Sequence, residues 1–187
     1  MAVEEPKFQI VEADGDFEVR DYPGLTVAEV DVGGDRRAAS SEGFRLLAGY
    51  IFGGNAGSGK IAMTAPVSQS QVKGSKIAMT APVALQGEEG GWTVQFTMPS
   101  EYAIDDLPAP NDKRVHLRSL PPTRMAVLKF SGLTGDERVA SQTERLEGLL
   151  RDHKLTPIGK PSLARYDPPW TLWFMRRNEV MVSVSAN

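Results

Sequence analysis

An octapeptide occurs twice in this chain, as Lys60-Ile-Ala-Met-Thr-Ala-Pro-Val67 and as Lys76-Ile-Ala-Met-Thr-Ala-Pro-Val83. In each copy larger apolar residues alternate with small ones, a pattern typical of an extended strand. Proline cannot donate to a ladder, so Pro66 and Pro82 favour strand ends or sheet edges. We predict two short neighbouring strands joined by a polar loop. Their small residues leave two interpretations open: they line a cavity for a flat apolar ligand, or they let a helix pack closely.

The composition predicts one globular domain over residues 1–187. Apolar residues make up 41% and charged residues 24% of the chain, as in ordinary globular proteins. The absence of cysteine excludes disulfides, thiolate catalysis and iron-sulfur clusters. The net charge of -3 offers no general attraction to nucleic acid. Residues 1–7 do not resemble a signal peptide and no run is long enough to span a membrane, so we expect a cytoplasmic protein. We also expect it to be a monomer.

The first part of the chain predicts three strands. Asp14-Gly15 separates alternating segments at residues 8–13 and 17–22, which indicates a tight hairpin of type I′, with positive φ at both central positions. Residues 25–32 predict a half-buried strand that ends at a Gly-Gly pair.

Two helices follow from the apolar spacing. Residues 35–52 predict the first, with Asp35 as N-cap and Gly53-Gly54 as the stop signal. Gly43 within it favours close packing or close approach of a ligand. Its predicted inner face contains Ala39, Gly43, Leu46, Leu47, Tyr50 and Ile51, and is widened by Phe44 and Ala48. Residues 136–154 predict the second helix, whose charged side is solvated.

The chain also shows an internal repeat. Trp92-Thr-Val-Gln-Phe96 is echoed by Trp170-Thr-Leu-Trp-Phe174, within halves of about residues 8–98 and 113–184. Further strands are predicted at residues 92–98, 115–120, 125–132, 157–166 and 170–184. These patterns predict an α+β fold in which two halves, each with a helix on an antiparallel ribbon, unite into a curved sheet or distorted barrel.

Several segments together resemble the SOUL, or haem-binding protein, family. They are Val19-Arg-Asp-Tyr-Pro23, Gly49-Tyr-Ile-Phe-Gly-Gly-Asn55, the first octapeptide from Lys60 to Val67, Met79-Thr-Ala-Pro-Val83 of the second, Leu107-Pro-Ala-Pro110, Phe130-Ser-Gly132, Ala164-Arg-Tyr-Asp-Pro-Pro-Trp170 and Arg176-Arg-Asn-Glu179. The resemblance implies a distorted antiparallel β-barrel of two βαββ-like halves flanked by two helices, as in gyrase-inhibitor-like effector-binding domains. It also implies that haem or another tetrapyrrole binds in an apolar groove beside the first helix.

Candidate ligand contacts follow from this implied groove. They are Phe44, Arg45, Leu47, Ala48, Ile51, Lys60, Met63, Met79, Arg165 and Glu179. Cationic side chains suit haem propionates, so Arg45, Lys60 and Arg165 are candidates for that contact, although each is equally compatible with a surface charge. Met63 and Met79 fit either an approach to iron or ordinary core filling.

The histidines are the weakest part of the haem hypothesis. Haem iron usually takes His, Cys, Met or Tyr, and the chain has only His116 and His153. We expect His116 on the exposed side of a strand and His153 as a cap of the second helix. Neither lies in the first helix, where some members of the family offer a histidine, and Tyr50 is the remaining candidate there.

Glu179 has a structural and a functional interpretation. Because a carboxylate between two methionines is costly to bury alone, we predict that Arg177 or Arg165 pairs with it. Alternatively, Glu179 recognises a cationic ligand, as acidic residues do in the related effector-binding domains.

Three functions therefore remain open. The first is non-covalent haem or tetrapyrrole binding, the second is sensing of hydrophobic cations, and the third is an enzyme acting on a small molecule in the same groove. The chain shows no nucleophile elbow, zinc-protease motif or complete phosphate loop, so we favour a binding protein over an enzyme.

Overall fold

The computed structural model describes residues 4–57, 59–71, 91–167 and 170–185. In this part of the chain it contains nine strands and two α-helices. The strands are β1 Gln9–Asp14, β2 Phe17–Tyr22, β3 Leu25–Val32, β4 Val67–Gln71, β5 Trp92–Thr97, β6 His116–Leu120, β7 Thr123–Ser131, β8 Pro157–Arg165 and β9 Arg177–Val184. The helices are α1 Arg36–Ile51 and α2 Asp136–Asp152.

All nine strands form one antiparallel sheet in the order β1-β2-β7-β9-β8-β4-β5-β3-β6. Strands β1 and β6 are its two edges, and they do not pair with each other. The α+β class is therefore confirmed, but the predicted distorted barrel is wrong, because the sheet is not closed. Alternation of apolar residues predicts individual strands, whereas closure depends on pairing between strands that are distant in sequence.

The strand order is symmetrical about the central pair β4 and β8. On one side β4 is followed by β5, β3 and β6, and on the other side β8 is followed by β9, β7 and β2. Helix α1 connects β3 to β4, and α2 connects β7 to β8. The two halves exchange outer strands, because β2 of the first half, with β1 at its outer side, pairs with β7, and β6 of the second half pairs with β3.

Both helices cover the same face of the sheet. Helix α1 packs on β3 and β5, while α2 packs on β7, β8 and β9. Gly43 lies so close to β5 that an added Cβ would be 2.5 Å from Val94, which confirms the close-packing interpretation of this glycine. The opposite side of the sheet carries no helix in the described residues, and we call it the open face.

The predicted helices are confirmed in detail. Helix α1 is capped by Asp35, whose side chain accepts a hydrogen bond of 2.8 Å from the Ala38 amide. It ends before Gly53, which has a φ of +117° that favours glycine. On α2 the buried positions include Leu146 and Leu150.

The strand predictions need three corrections. The hairpin between β1 and β2 exists, but its central residues are Gly15 and Asp16, and of the two only Gly15 has positive φ. The first octapeptide is not a strand before Val67, because its amides at Ile61 and Ala65 donate to Ile51 and Glu4 outside any ladder. Residues 170–176 also precede the last strand instead of belonging to it. The second octapeptide, with Met79, lies outside the described residues.

Candidate functional site

A cluster of ionised side chains is buried on the open face. Arg20, which is 2% exposed, donates two hydrogen bonds of 3.0 Å to the carboxylate of Glu179, which is 1% exposed. Its Nε also donates to Glu18 at 2.7 Å, and Lys129 forms a second ion pair with Glu18. The Tyr166 hydroxyl donates to Glu179 at 2.6 Å. We call these residues the Arg20 cluster, and its two cations balance its two carboxylates.

The predicted partners of Glu179 are therefore wrong. The carboxylate pairs with Arg20, whereas Arg177 pairs with Glu5 and Arg165 lies on the helix-covered face. Arg20 and Glu179 are 159 positions apart, so sequence-neighbour reasoning does not connect them.

The pKa values in this cluster follow from its burial and pairing. Burial by itself lowers the pKa of Arg20, but the hydrogen bonds and charge of Glu179 outweigh it and raise that pKa. Burial, followed by the negative charge of Glu179, raises the pKa of Tyr166. For Glu18, burial favours the neutral acid, but hydrogen bonds from Lys129 and Arg20 together hold its pKa below the usual value.

A second arginine, Arg165, is partly buried on the helix-covered face in a different setting. Its guanidinium donates a hydrogen bond to the hydroxyl of Ser40 on α1. Among the described residues no carboxylate forms an ion pair with it, and burial followed by the nearby charge of Arg36 lowers its pKa. Arg36 itself pairs with Asp136 at 2.7 Å. Arg165 therefore holds a positive charge that the described residues do not neutralise.

Large apolar side chains are exposed in the same neighbourhood. The loop between β8 and β9 leaves the sheet after Arg165 and contains a run of exposed side chains: Trp170, Leu172, Trp173, Phe174 and Met175, with Trp170 83% exposed. Trp173 and Leu133 line a cavity of about 650 Å³ together with Asp136, the partner of Arg36.

The exposed side of α1 adds to this surface. Phe44, which is 40% exposed and one helical turn beyond Ser40, packs edge-on against Phe96. Ala48 is half-buried. Ser40 on α1 bonds Arg165, Arg165 lies near Arg36, and Arg36 pairs with Asp136 in the wall of the 650 Å³ cavity. The surface that follows this chain of contacts from α1 to Trp173 is called the helix–loop cleft.

The other predicted contact residues are distributed differently. Leu47 and Ile51 are fully buried between α1 and the sheet. Arg45 is exposed and bonded to Glu42, and Lys60 is exposed. Met63 is partly buried against the core. Of the predicted contacts, Arg165 bonds Ser40 within the helix–loop cleft, and Phe44 and Ala48 lie about one and two turns beyond Ser40 on α1.

Neither histidine lies in the helix–loop cleft. His116 is exposed on the edge strand β6. His153 is the C-cap of α2, where its Nδ1 is 2.6 Å from Glu12 and its ring packs on Phe17. Tyr50 is buried and donates to the carbonyl of Pro108 at 2.9 Å. In this arrangement His153 caps α2 and Tyr50 is part of the buried core.

Sequence reasoning missed the exposed loop and Arg20. The sequence pattern predicts the run Trp170-Thr-Leu-Trp-Phe-Met175 as the start of the last strand, because its apolar residues match strand composition. The preceding Asp167-Pro-Pro169 is a loop signal that could have separated it from β9.

The molecule is thus an α+β protein with two helices on one face of an open antiparallel sheet. The model of the SOUL heme-binding protein family matches residues 3–183. The chain therefore belongs to this family, and the resemblance described from the sequence is confirmed. Within the described residues, no helix has both the length and the apolar character needed to cross a membrane.

Curated relatives carry corresponding names. Heme-binding protein 2 of Mus musculus is 28% identical over 177 residues, which cover 90% of this chain and 82% of the relative. Heme-binding protein 2 of Homo sapiens is 29% identical over 174 residues, covering 88% and 80%.

Solved structures share the fold at much lower identity. The EcmrR C-terminal domain superposes with a TM-score of 0.61 at 13% identity, covering 96% of this chain and 99% of that domain. A hydrolase from Listeria innocua gives a TM-score of 0.59 at 13% identity, covering 91% and 92%. At this level of identity the likeness concerns the fold alone.

Proposed function

We propose that this protein binds haem or a related tetrapyrrole non-covalently in the helix–loop cleft beside α1. Membership of the SOUL heme-binding family supports the ligand class. The observation that carries the location is Arg165, a partly buried cation without a carboxylate partner among the described residues. Buried charges are normally paired, and an anionic group of a ligand would supply the missing partner.

The apolar side chains of the helix–loop cleft suit the ring of a tetrapyrrole. A tetrapyrrole is a flat apolar ring that carries propionate carboxylates on one edge. The exposed side chains of Phe44 and Trp173 offer apolar contact to the ring, while Arg165 and the nearby Arg36 favour the propionates. When bound, haem would supply an iron centre, and neither His116 nor His153 lies where it would reach a ligand in this cleft.

The test is a titration of the purified protein with hemin, followed by the Soret absorption band. We expect a saturable complex, with affinity weakened about tenfold in Arg165→Met because one charge-assisted contact, worth about 1.4 kcal/mol, is lost. Arg145→Met, the same substitution at an exposed position of α2, is the matched control. Protoporphyrin dimethyl ester, which lacks propionate charges, should bind wild type and Arg165→Met equally well.

Two results would contradict the proposal. One is an absorption spectrum that remains that of free hemin, together with immediate transfer of all the hemin to competing apo-globin. The other is an affinity for hemin that is the same in wild type and Arg165→Met while Trp173→Ser also has no effect.

The cation-sensing alternative depends on Glu179, and its surroundings favour a structural role. Both oxygens of this carboxylate accept from Arg20, and one also accepts from Tyr166. A cationic ligand would have to displace the Arg20 guanidinium, a protein group that already provides two aligned donors. Glu179 is therefore left out of the proposed tetrapyrrole contacts.

A further inference from the structure

The open face contains a second cavity, separate from the helix–loop cleft. It has a volume of about 280 Å³ and lies at the middle of the sheet. Met125 and Met181 contribute to its wall from one half, and Leu25 and Thr97 contribute from the other. Ligand pockets are usually about 300–1,000 Å³, so this one suits a molecule much smaller than a tetrapyrrole.

The wall of this pocket is uncharged. Its lining side chains within the described residues are apolar, hydroxyl or amide groups, and none is a carboxylate, an amine, a guanidinium or an imidazole. Tyr22 and Tyr166 line it, and their hydroxyls are bonded to Arg20 and Glu179. The nearby Arg20 cluster is internally balanced, so neither an anion nor a cation would find an uncompensated opposite charge there.

Neutral hydrogen-bonding groups occur at the centre of the pocket. Ser68 on β4 and Gln95 on β5 are directly opposite each other in the ladder. The Gln95 amide nitrogen donates to Glu29 at 2.7 Å, which leaves its amide oxygen available as an acceptor. The half-buried hydroxyl of Ser68 makes no hydrogen bond to the described residues. Partly buried polar groups of this kind favour a partner that brings its own neutral donor and acceptor.

A segment near the amino terminus forms one side of the pocket. Pro6 lines the cavity, and the flanking residues attach the segment to the sheet. The Glu4 carbonyl accepts from the Ala65 amide at 2.9 Å, and the Phe8 ring lies 5.3 Å from that of Tyr22. The pocket is therefore sheltered, which strengthens apolar contacts with a bound molecule.

We infer that the open-face pocket binds a small uncharged amphiphile, such as an aryl or alkyl ketone, alcohol or amide. Met125 and Met181 are adaptable apolar partners for its hydrocarbon part. Ser68 and Gln95 bind its polar group. This site is independent of the proposed tetrapyrrole site, because the two lie on opposite faces of the sheet.

The inference can be tested with prodan, an uncharged naphthyl ketone whose fluorescence shifts to the blue in apolar surroundings. We expect a saturable blue shift with the wild-type protein. Naphthylmethanol, naphthoate and naphthylmethylammonium are then compared as competitors of similar size and different charge. The neutral alcohol should displace the dye at concentrations about tenfold lower than either ion, because only the ions carry a charge that the pocket leaves unpaired.

Variants of the pocket residues test whether the blue shift of prodan comes from binding in the open-face pocket. Ser68→Met fills the cavity and should abolish the shift, while Ser119→Met, at an exposed position of the edge strand β6, should keep it. Circular dichroism checks that both variants fold. If Ser68→Met does not fold, Gln95→Leu takes its place and should weaken prodan binding about tenfold. Trp173→Ser should not change prodan binding, and hemin titration of Ser68→Met should match wild type.

Three outcomes would overturn the inference. They are no saturable shift with wild type, equal displacement by neutral and charged competitors, and loss of the shift in Trp173→Ser instead of Ser68→Met. If hemin does not bind, the result with prodan is unaffected. The tetrapyrrole proposal and the open-face proposal can therefore be rejected independently of each other.

Discussion

Arg20 and Arg165 lie on opposite faces of the same sheet and have opposite surroundings. Arg20 is bonded to two carboxylates and to the hydroxyl of Tyr22. Arg165 is bonded to one neutral hydroxyl, that of Ser40. The pKa of Arg20 is raised by Glu179 despite its burial, whereas burial and Arg36 lower that of Arg165.

This difference separates a structural ion pair from a candidate ligand contact. A buried cation that is fully paired stabilises the fold but offers little to a ligand. A buried cation without a counter-charge costs folding free energy and gains most when an anion binds. The same residue type thus indicates different roles on the two faces.

The largest expected change in stability is the difference between replacing Arg20 and replacing Arg165. Arg20→Met leaves Glu179 and Glu18 buried without their shared cation, so the free energy of unfolding should fall by about 3–5 kcal/mol. Arg165→Met removes a charge that has no carboxylate partner, so the free energy of unfolding should stay the same or rise. Urea denaturation of both variants measures the contrast, and equal losses would remove the distinction between the two arginines.

A smaller effect is expected from the hydroxyl that completes the Arg20 cluster. Tyr166→Phe removes a hydrogen bond to a charged carboxylate, which should lower the free energy of unfolding by about 1.5–3 kcal/mol. Tyr102→Phe is the matched control, since the Tyr102 hydroxyl makes no hydrogen bond within the described residues. A similar result for both variants in urea denaturation would mean that the bond to Glu179 adds no stability.

The smallest expected effect is the loss, at acidic pH, of the stability that Glu18 contributes. Because the pKa of folded Glu18 is below the usual 4.5, its contribution to stability is fully present above about pH 4.5 and is lost as the pH falls through the folded value. The stability difference between wild type and Glu18→Gln should therefore shrink below pH 4.5. Denaturation at several pH values tests this, with the exposed Glu147→Gln as control, and a constant difference would contradict it.

Local features of the fold could be predicted from the sequence, and its long-range pairing could not. Asp35 and the apolar spacing after it specify α1, because capping and helical periodicity act within a few residues. The order of the strands in the sheet depends on pairs such as Phe17 with Leu128, which join β2 to β7, and one sequence gives no signal for such pairs. The predicted barrel was wrong for this reason.

The candidate site could be predicted only in part. The family resemblance suggests Arg165 and Phe44, and the fold places Phe44 one helical turn from Ser40, the residue that Arg165 bonds. Leu47 shares the helix with Phe44 but faces the sheet, a distinction that depends on how α1 is rotated against β5. Arg20 was not identified, because its partner Glu179 comes close only when β2, β7 and β9 align.

The exchanged strands have a consequence for how the molecule holds together. Strand β2 is placed beyond β7, and β6 is placed beyond β3, so each half contributes an outer strand to its counterpart. Separating the two halves would break the pairing of β2 with β7 and the pairing of β6 with β3. It would also break the pairing of β4 with β8 at the middle of the sheet. We therefore expect the described part of the chain to unfold as one cooperative unit, and a fragment cut between residues 98 and 113 to expose unpaired backbone on each piece.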